Sequence, residues 1–469
     1  MKKSTLLIVA GIVAVLAIFA CAVCFIVGVI ALPREETTVS EVTTVIHPEY
    51  PTFTPTAVIA PPPAETPQVE PVAPPDTPVP EAQAIQLVAQ GFGQDGRELG
   101  FAFVVENPNT GLSIEGAQYQ FAAYDDAGTV VATDSGYITL LLPNQKLGVG
   151  NTTILDEGVT ASRIEVQLRQ GEVVAIEPIP PIEADSIAYY PGEISSSVTG
   201  IVRNPYNRGL TDIRVSAIAY NEAGEIVGGG FTFLNFILAN SSTGVDASIT
   251  SSRDVAIIEL HPSVSGLTFL GTEDEFPEGA TALRLVQYGF GQDDRSAGFG
   301  MLIENPNEGF SVEDSQYHLT AFAEDGRVLA TDEGYVKLLL PRQTLGVGGD
   351  LFLDDDMSIS RVEIQILDGD YKESDPTPYF TAENVTFQED TYSSRVTGQI
   401  VSPYAREITD LRVSAIGYND AGEINGGGYT FLDFIPANGK SSVEVSITCT
   451  GTPATTELYA VVSSLSDFE

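Results

Sequence analysis

Ile213-Arg214-Val215-Ser216-Ala217-Ile218-Ala219-Tyr220 alternates along its length, with Val215, Ala217 and Ala219 on one face and Ile218 and Tyr220 on the other. A period of two carried by β-branched, small and aromatic residues marks a strand. The same stretch returns with little change as Arg412-Val413-Ser414-Ala415-Ile416, 198 residues later. The offset holds elsewhere. Gly91-Phe92-Gly93-Gln94-Asp95 becomes Gly289-Phe290-Gly291-Gln292-Asp293, Glu106-Asn107-Pro108-Asn109 becomes Glu304-Asn305-Pro306-Asn307, and Gly228-Gly229-Gly230 becomes Gly426-Gly427-Gly428. A long unit has been duplicated without gaps.

Each long unit is itself two diverged halves. Asn107-Pro108 corresponds to Asn204-Pro205, and Tyr124-Asp125-Asp126-Ala127-Gly128 to Tyr220-Asn221-Glu222-Ala223-Gly224. The order is A-B-A′-B′, in segments of about one hundred residues, an ordinary domain size. The period is too long for a solenoid turn, which repeats every ~20–50 residues. Asp125-Asp126-Ala127-Gly128 lies between two strand patterns and reads as a tight hairpin, because Asp starts the turn and Gly accepts positive φ. Each Asn-Pro reads as a strand break. The glycine triplets are no phosphate loop, since no Gly-Lys-Ser/Thr follows. They read as a bulge or a close backbone approach. The expected fold is all-β: four tandem immunoglobulin-like sandwiches over residues 84–180, 181–279, 280–377 and 378–469.

Ahead of the repeats, Met1-Lys2-Lys3-Ser4-Thr5 precedes an apolar run over 6–32. It is longer than the ~20 residues a membrane helix needs, and longer than the ~7–15 of a cleavable signal core. Lys2 and Lys3 on the short side predict a cytoplasmic N-terminus (residues 1–5), a single-pass cell-membrane anchor and extracellular domains. Ile18-Phe19-Ala20-Cys21 loosely resembles a lipidation site, but Phe19 is bulky and eleven apolar residues follow. Cys21 and Cys24 therefore read as small helix residues. Residues 33–83 turn rich in Pro, Thr, Glu and Val, an acidic disordered stalk that reaches on the order of 150 Å when extended.

Lys+Arg number 22 against 64 Asp+Glu, a net charge of -42, and the exported part alone carries 20 bases against those 64 acids. Such a chain repels phosphate backbones, so nucleic-acid binding is excluded. The one exported cysteine, Cys449, allows no intradomain disulfide, so each core rests on Phe, Leu, Ile, Val and Tyr.

The strand-to-turn pattern resembles the FxLYD family of bacterial and archaeal surface domains, named for Phe-x-Leu-Tyr-Asp ahead of a hairpin. Phe121-Ala122-Ala123-Tyr124-Asp125 matches with Ala123 in place of Leu. Ala217-Ile218-Ala219-Tyr220-Asn221, Leu319-Thr320-Ala321-Phe322-Ala323 and Ala415-Ile416-Gly417-Tyr418-Asn419 depart further. The resemblance runs from Ala84 to the C-terminus. It implies an immunoglobulin-like sandwich on an exported, often membrane-anchored protein, and it brings no general catalytic residues.

The residues themselves supply no catalytic set. His318 stands where the first copy has Gln120, and His261 where the last has Tyr459, with no Ser or Cys pattern beside them. Repeated carboxylates at Glu106/Glu304, Asp134/Asp332, Asp212/Asp410 and Glu225/Glu423 read as turn and strand-end residues. Calcium is the one cofactor the sequence leaves open. Asp354-Asp355-Asp356 and Asp293-Asp294 are dense acidic loops that could supply its 6–8 oxygens, although no EF-hand spacing occurs and the first copy has Leu155-Asp156-Glu157-Gly158 at the former place. Asn151-Thr152-Thr153, Asn240-Ser241-Ser242 and Asn384-Val385-Thr386 fit the glycosylation triplet and equally fit turns. The expected function is a non-catalytic membrane-anchored surface protein whose modules bind an extracellular protein or glycan in adhesion. The alternatives are a structural subunit of an envelope or secretion assembly and, third, a surface carbohydrate-active enzyme.

Overall fold

A computed structural model describes residues 82–175, 179–192, 196–252, 254–265, 276–353, 357–390 and 393–463. The anchor and almost all of the stalk expected from the sequence lie outside them. Among the described residues the protein is all-β, built of several separate antiparallel sheets and no helix.

In the first repeat, β1 (Gln86–Asp95), β2 (Glu98–Glu106) and β5 (Lys146–Ile154) form one sheet with β2 in the middle. In the other sheet β3 (Ser113–Tyr124) pairs with β4 (Val130–Leu141), β6 (Arg163–Arg169) and β7 (Glu172–Val174). Inward residues of both sheets form one cluster with Phe101, Phe103, Phe121, Ile138, Leu147 and Val166 at its centre. Phe101 and Phe121 stack with ring centroids 3.6 Å apart.

The second repeat makes a six-stranded sheet: β13 (Ile257–Val264), β10 (Leu210–Tyr220), β11 (Ile226–Ile237), β12 (Ser242–Ser251), β9 (Ser196–Arg203) and β8 (Glu183–Tyr190), in that order. Its halves are joined only where Gly228–Gly230 meets Ile249–Ser251. The third repeat copies the first, with β14 (Arg284–Asp293), β15 (Ser296–Glu304) and β18 (Thr344–Phe352) in one sheet. Its second sheet has β16 (Phe310–Phe322), β17 (Val328–Leu339), β19 (Arg361–Leu367) and β20 (Asp370–Glu373). The fourth copies the second but parts fully into two sheets. One holds β21 (Thr381–Gln388), β22 (Arg395–Val401) and β25 (Lys440–Ser446); the other holds β26 (Thr448–Cys449), β24 (Ile424–Ile435), β23 (Ile408–Tyr418) and β27 (Thr455–Val462). Each of the four large clusters draws its buried residues from one repeat.

The hairpin at Asp125 forms as expected. The Asp125 carboxylate accepts the amides of Ala127 and Thr129 at 2.9 and 2.7 Å, and Gly128 sits at φ 78. Asn221 and Asn419 do the same in the second and fourth repeats. The Asn-Pro breaks also fall where the strands end, after Glu106 and Arg203.

Alternation in β10 divides the strand as the sequence implies. Ile213, Val215, Ala217 and Ala219 enter the core of their own repeat, while Ile218 joins Ala102, Val104 and Ile226 in a small cluster shared with the first repeat. Around that shared cluster the backbones of the two repeats touch. A Cβ at Gly229 would fall on the carbonyl of Phe101, one at Gly91 on the carbonyl of Ile226, and one at Gly100 on that of Thr250. Sheets usually pack about 10 Å apart through side chains. Here the glycines remove the side chains and let main chain meet main chain. Both readings of the triplet hold, because the register also slips by one residue at Val227, directly before it. The third and fourth repeats dock in the same way, through Gly427 against Phe299 and Gly289 against Ile424.

Candidate functional site

The first and second repeats leave a cleft of about 490 Å³ at the margin of their contact, lined by Tyr119, Tyr137, Asn151, Arg214 and Phe233 among others. Tyr119 lies on β3 opposite Gly136, where a Cβ would strike its ring, so the glycine lets the ring lie flat across β4. The Tyr119 hydroxyl donates to Asp134 at 3.3 Å, and the Asn151 amide donates to the same oxygen at 2.7 Å. Asp134 thereby ties the two sheets of the first repeat together. Burial pushes the Tyr119 hydroxyl up to about 12, and the Asp134 charge adds to the rise, so the group is held as a donor.

Arg214 reaches in from β10. Its Nη2 donates to the Gly150 carbonyl at 2.6 Å, and its guanidinium lies 3.8 Å from the centre of the Phe231 ring. Phe231 and Phe233 meet edge to face at 5.7 Å. Burial lowers the pKa of Arg214 from its very high ordinary value, which leaves it cationic. Tyr137 and Phe233 are exposed beside it. The result is a cationic, aromatic-walled groove with an amide and a hydroxyl inside.

The duplicate keeps most of this. Tyr317 donates to Asp332 at 3.0 Å, and Arg412 donates to the Gly348 carbonyl at 2.6 Å over the ring of Tyr429 at 4.1 Å. Tyr335 and Phe431 are exposed at the positions of Tyr137 and Phe233. Gly349 replaces Asn151, and Asp350 stands where the first copy has Thr152. Desolvation, and after it the neighbouring Asp332 charge, pushes Asp350 up to about 6. Asp332 is itself raised by burial.

The expected site residues fare differently. Asp354, Asp355 and Asp356 lie outside the described residues. Asp293 and Asp294 end β14 and start its hairpin, Asp294 at φ 53, beside a cleft of about 470 Å³ that Asp350 and Asp390 also line. Among the described residues no group of three or more His, Cys, Asp or Glu side chains is placed to hold a metal ion. Asp134 and Asp332 are neither turn nor strand-end residues. They sit inside β4 and β17, facing a buried tyrosine. Asp212 and Asp410 do mark irregular backbone, at φ 51 and 54, and Glu225 and Glu423 accept from the turn asparagines. His261 contacts Glu259 at 3.1 Å and His318 contacts Glu333 at 2.7 Å. Cys449 is partly buried, and burial alone pushes its thiol up to about 12, so it is a poor nucleophile. Sequence reasoning missed Arg214, Tyr119 and Asn151. The available signal was the return of Arg214 as Arg412 in the middle of an otherwise apolar strand.

No family model matches the chain, and no curated protein matches it. Among solved structures it is similar to Escherichia coli alpha-2-macroglobulin activated by porcine elastase, at 10% identity and a TM-score of 0.12, over 81% of this chain and 42% of that one. It is similar also to dimeric latent PorU from Porphyromonas gingivalis, at 10% identity and a TM-score of 0.12, over 81% of this chain and 34% of that one. The chain spans less than half the length of either.

Proposed function

We propose that this is a non-catalytic surface protein whose four immunoglobulin-like modules, of the FxLYD kind, bind an extracellular glycan or protein. The apolar segment 6–32 anchors it in the cell membrane with its N-terminus inside, and the stalk 33–83 holds the modules away from the bilayer. The observation that supports this reading best is the aromatic and arginine groove at Arg214, repeated at Arg412. Exposed rings offer flat apolar faces to a sugar ring or an aromatic side chain, while the Arg214 guanidinium and the hydroxyl of exposed Tyr137 supply donors for its polar rim. No carboxylate or histidine is among the residues that line the first groove. A glycosidase needs two carboxyls about 5–10 Å apart across its cleft. The test is a glycan-array and pull-down screen with the purified full-length chain, with and without calcium. Retention of a defined ligand class that Tyr137→Ala with Tyr335→Ala abolishes is expected. Hydrolase activity that a single carboxylate substitution removes would overturn the reading.

A further inference from the structure

The second and third repeats meet through faces whose copies on the fourth and first repeats stay uncovered among the described residues. At this internal contact the Thr199 hydroxyl donates to the Val328 carbonyl at 2.7 Å, the Gly244 amide donates to Thr320 Oγ1 at 3.0 Å, and the Gln365 amide donates to the Ser242 carbonyl at 2.8 Å. Phe236 packs edge-on against His318 at 6.5 Å. Because the chain is a duplication, the first repeat carries the face that the third uses, and the fourth carries the face that the second uses. Val328 is 0% exposed and its counterpart Val130 is 51% exposed; Phe236 is 1% exposed and its counterpart Phe434 is 51% exposed.

The two uncovered faces keep much of that pairing, although Tyr190, which also donates to the Val328 carbonyl at 2.9 Å, becomes Gln388. Thr199 and Gln365 are retained in kind as Thr397 and Gln167. A Cβ at Gly244 would strike the Thr320 methyl. The counterpart of Gly244 is Ser442, which does carry a Cβ, and the counterpart of Thr320 is Ala122, which has lost that methyl. One side gained the volume that the other gave up. The Asn235 backbone N–H also points at the Glu333 carboxylate, 3.4 Å away. At the counterparts, Asp433 and Ser135, the backbone N–H is kept and a hydroxyl replaces the carboxylate. Drift under no constraint gives no reason for the matched exchange of volume at one contact.

We propose that the first repeat of one chain docks on the fourth repeat of a second copy, in the geometry by which the third docks on the second. The contact is heterologous, so it propagates head to tail into a filament or closes into a ring. Its strongly negative partners repel, so raising salt strengthens it.

Disulfide trapping of the full-length chain in detergent tests this. A Cβ at position 244 would lie 3.1 Å from Thr320 Cβ, near the ~3.5–4.5 Å that a disulfide spans. Mixing Ala122→Cys with Ser442→Cys under mild oxidation is expected to give a covalent dimer absent from either variant alone, with peptide mass spectrometry placing the linkage between the two substituted positions. The double variant is expected to give a ladder or closed rings. Light scattering on the wild-type chain supplies a second readout: its mass is expected to rise with concentration and salt, and Val130→Asp to weaken the association by about tenfold or more. A mixture that yields no more dimer than the separate variants overturns the proposal. So does a wild-type chain that stays monomeric in high salt, or a double variant whose two introduced thiols pair only within one chain.

Discussion

Asn107 has no exposure, and its one carboxamide nitrogen donates to the carbonyls of Leu112, Leu141 and Leu142 at 2.8, 3.2 and 3.0 Å. Asn305 repeats the arrangement and Asn204 most of it. In the sequence the residue is merely the one before a proline. In the fold it closes the end of a sheet by satisfying carbonyls that leave their ladder. Asn107→Ala is expected to cost about 2–4 kcal/mol, read as a lower denaturation midpoint with an unchanged slope. Asp350 gives the opposite sign. Its folded pKa of about 6 lies above its ordinary 3.8, so its ionisation opposes folding. Stability is therefore lost as pH rises between those two values and stays reduced above them. Asp350→Asn is expected to raise the melting temperature near pH 7.5, by an amount equivalent to about 1 kcal/mol after allowance for partial exposure, and to leave it unchanged near pH 4. Equal effects at both pH values would show that the carboxylate is not the cause.

At the scale of elements, the glycine strands decide how repeats meet. The triplet Gly228–Gly230 holds one end of β11 against the backbone of the first repeat, and the obstacle to any side chain at Gly229 is the Phe101 carbonyl, which cannot swing aside. Gly229→Ala is expected to destabilise by about 2–4 kcal/mol and to loosen the docking of the two repeats. Proteolysis and hydrogen exchange at the β10–β11 face would report that loosening. Gly111→Ala, where nothing lies near the added atom, serves as the neutral control. The strands and hairpins were legible because alternation and turn chemistry are local. So was a close approach at the glycines, since little else asks for three in a row within a strand. What the glycines approach was not legible, because it is the backbone of a different repeat. The groove was hidden for the same reason. Arg214, Asn151 and Tyr119 come from β10, β5 and β3, and no spacing in the chain records that they converge.

For the molecule as a whole, the charge of -42 shapes behaviour more than any one ion pair. The described salt bridges are mostly exposed and each contributes little. Unscreened acids repel one another in the compact state, so the melting temperature is expected to rise by several degrees between about 10 and about 300 mM NaCl. A flat or falling salt dependence would mean that the acids are already neutralised by bound cations. The contact between paired repeats has a different consequence. At the glycines it is main chain on main chain, and main chain is the same in both copies. The first repeat therefore meets in the fourth nearly the surface that it meets in the second, and a chain released from denaturant must choose between them. Synthesis removes the choice, since the first pair emerges and closes before the second pair exists. Unfolded and returned to buffer all at once, the protein is expected to recover in part as cross-paired species, a memory of its order of synthesis that its final contacts do not encode.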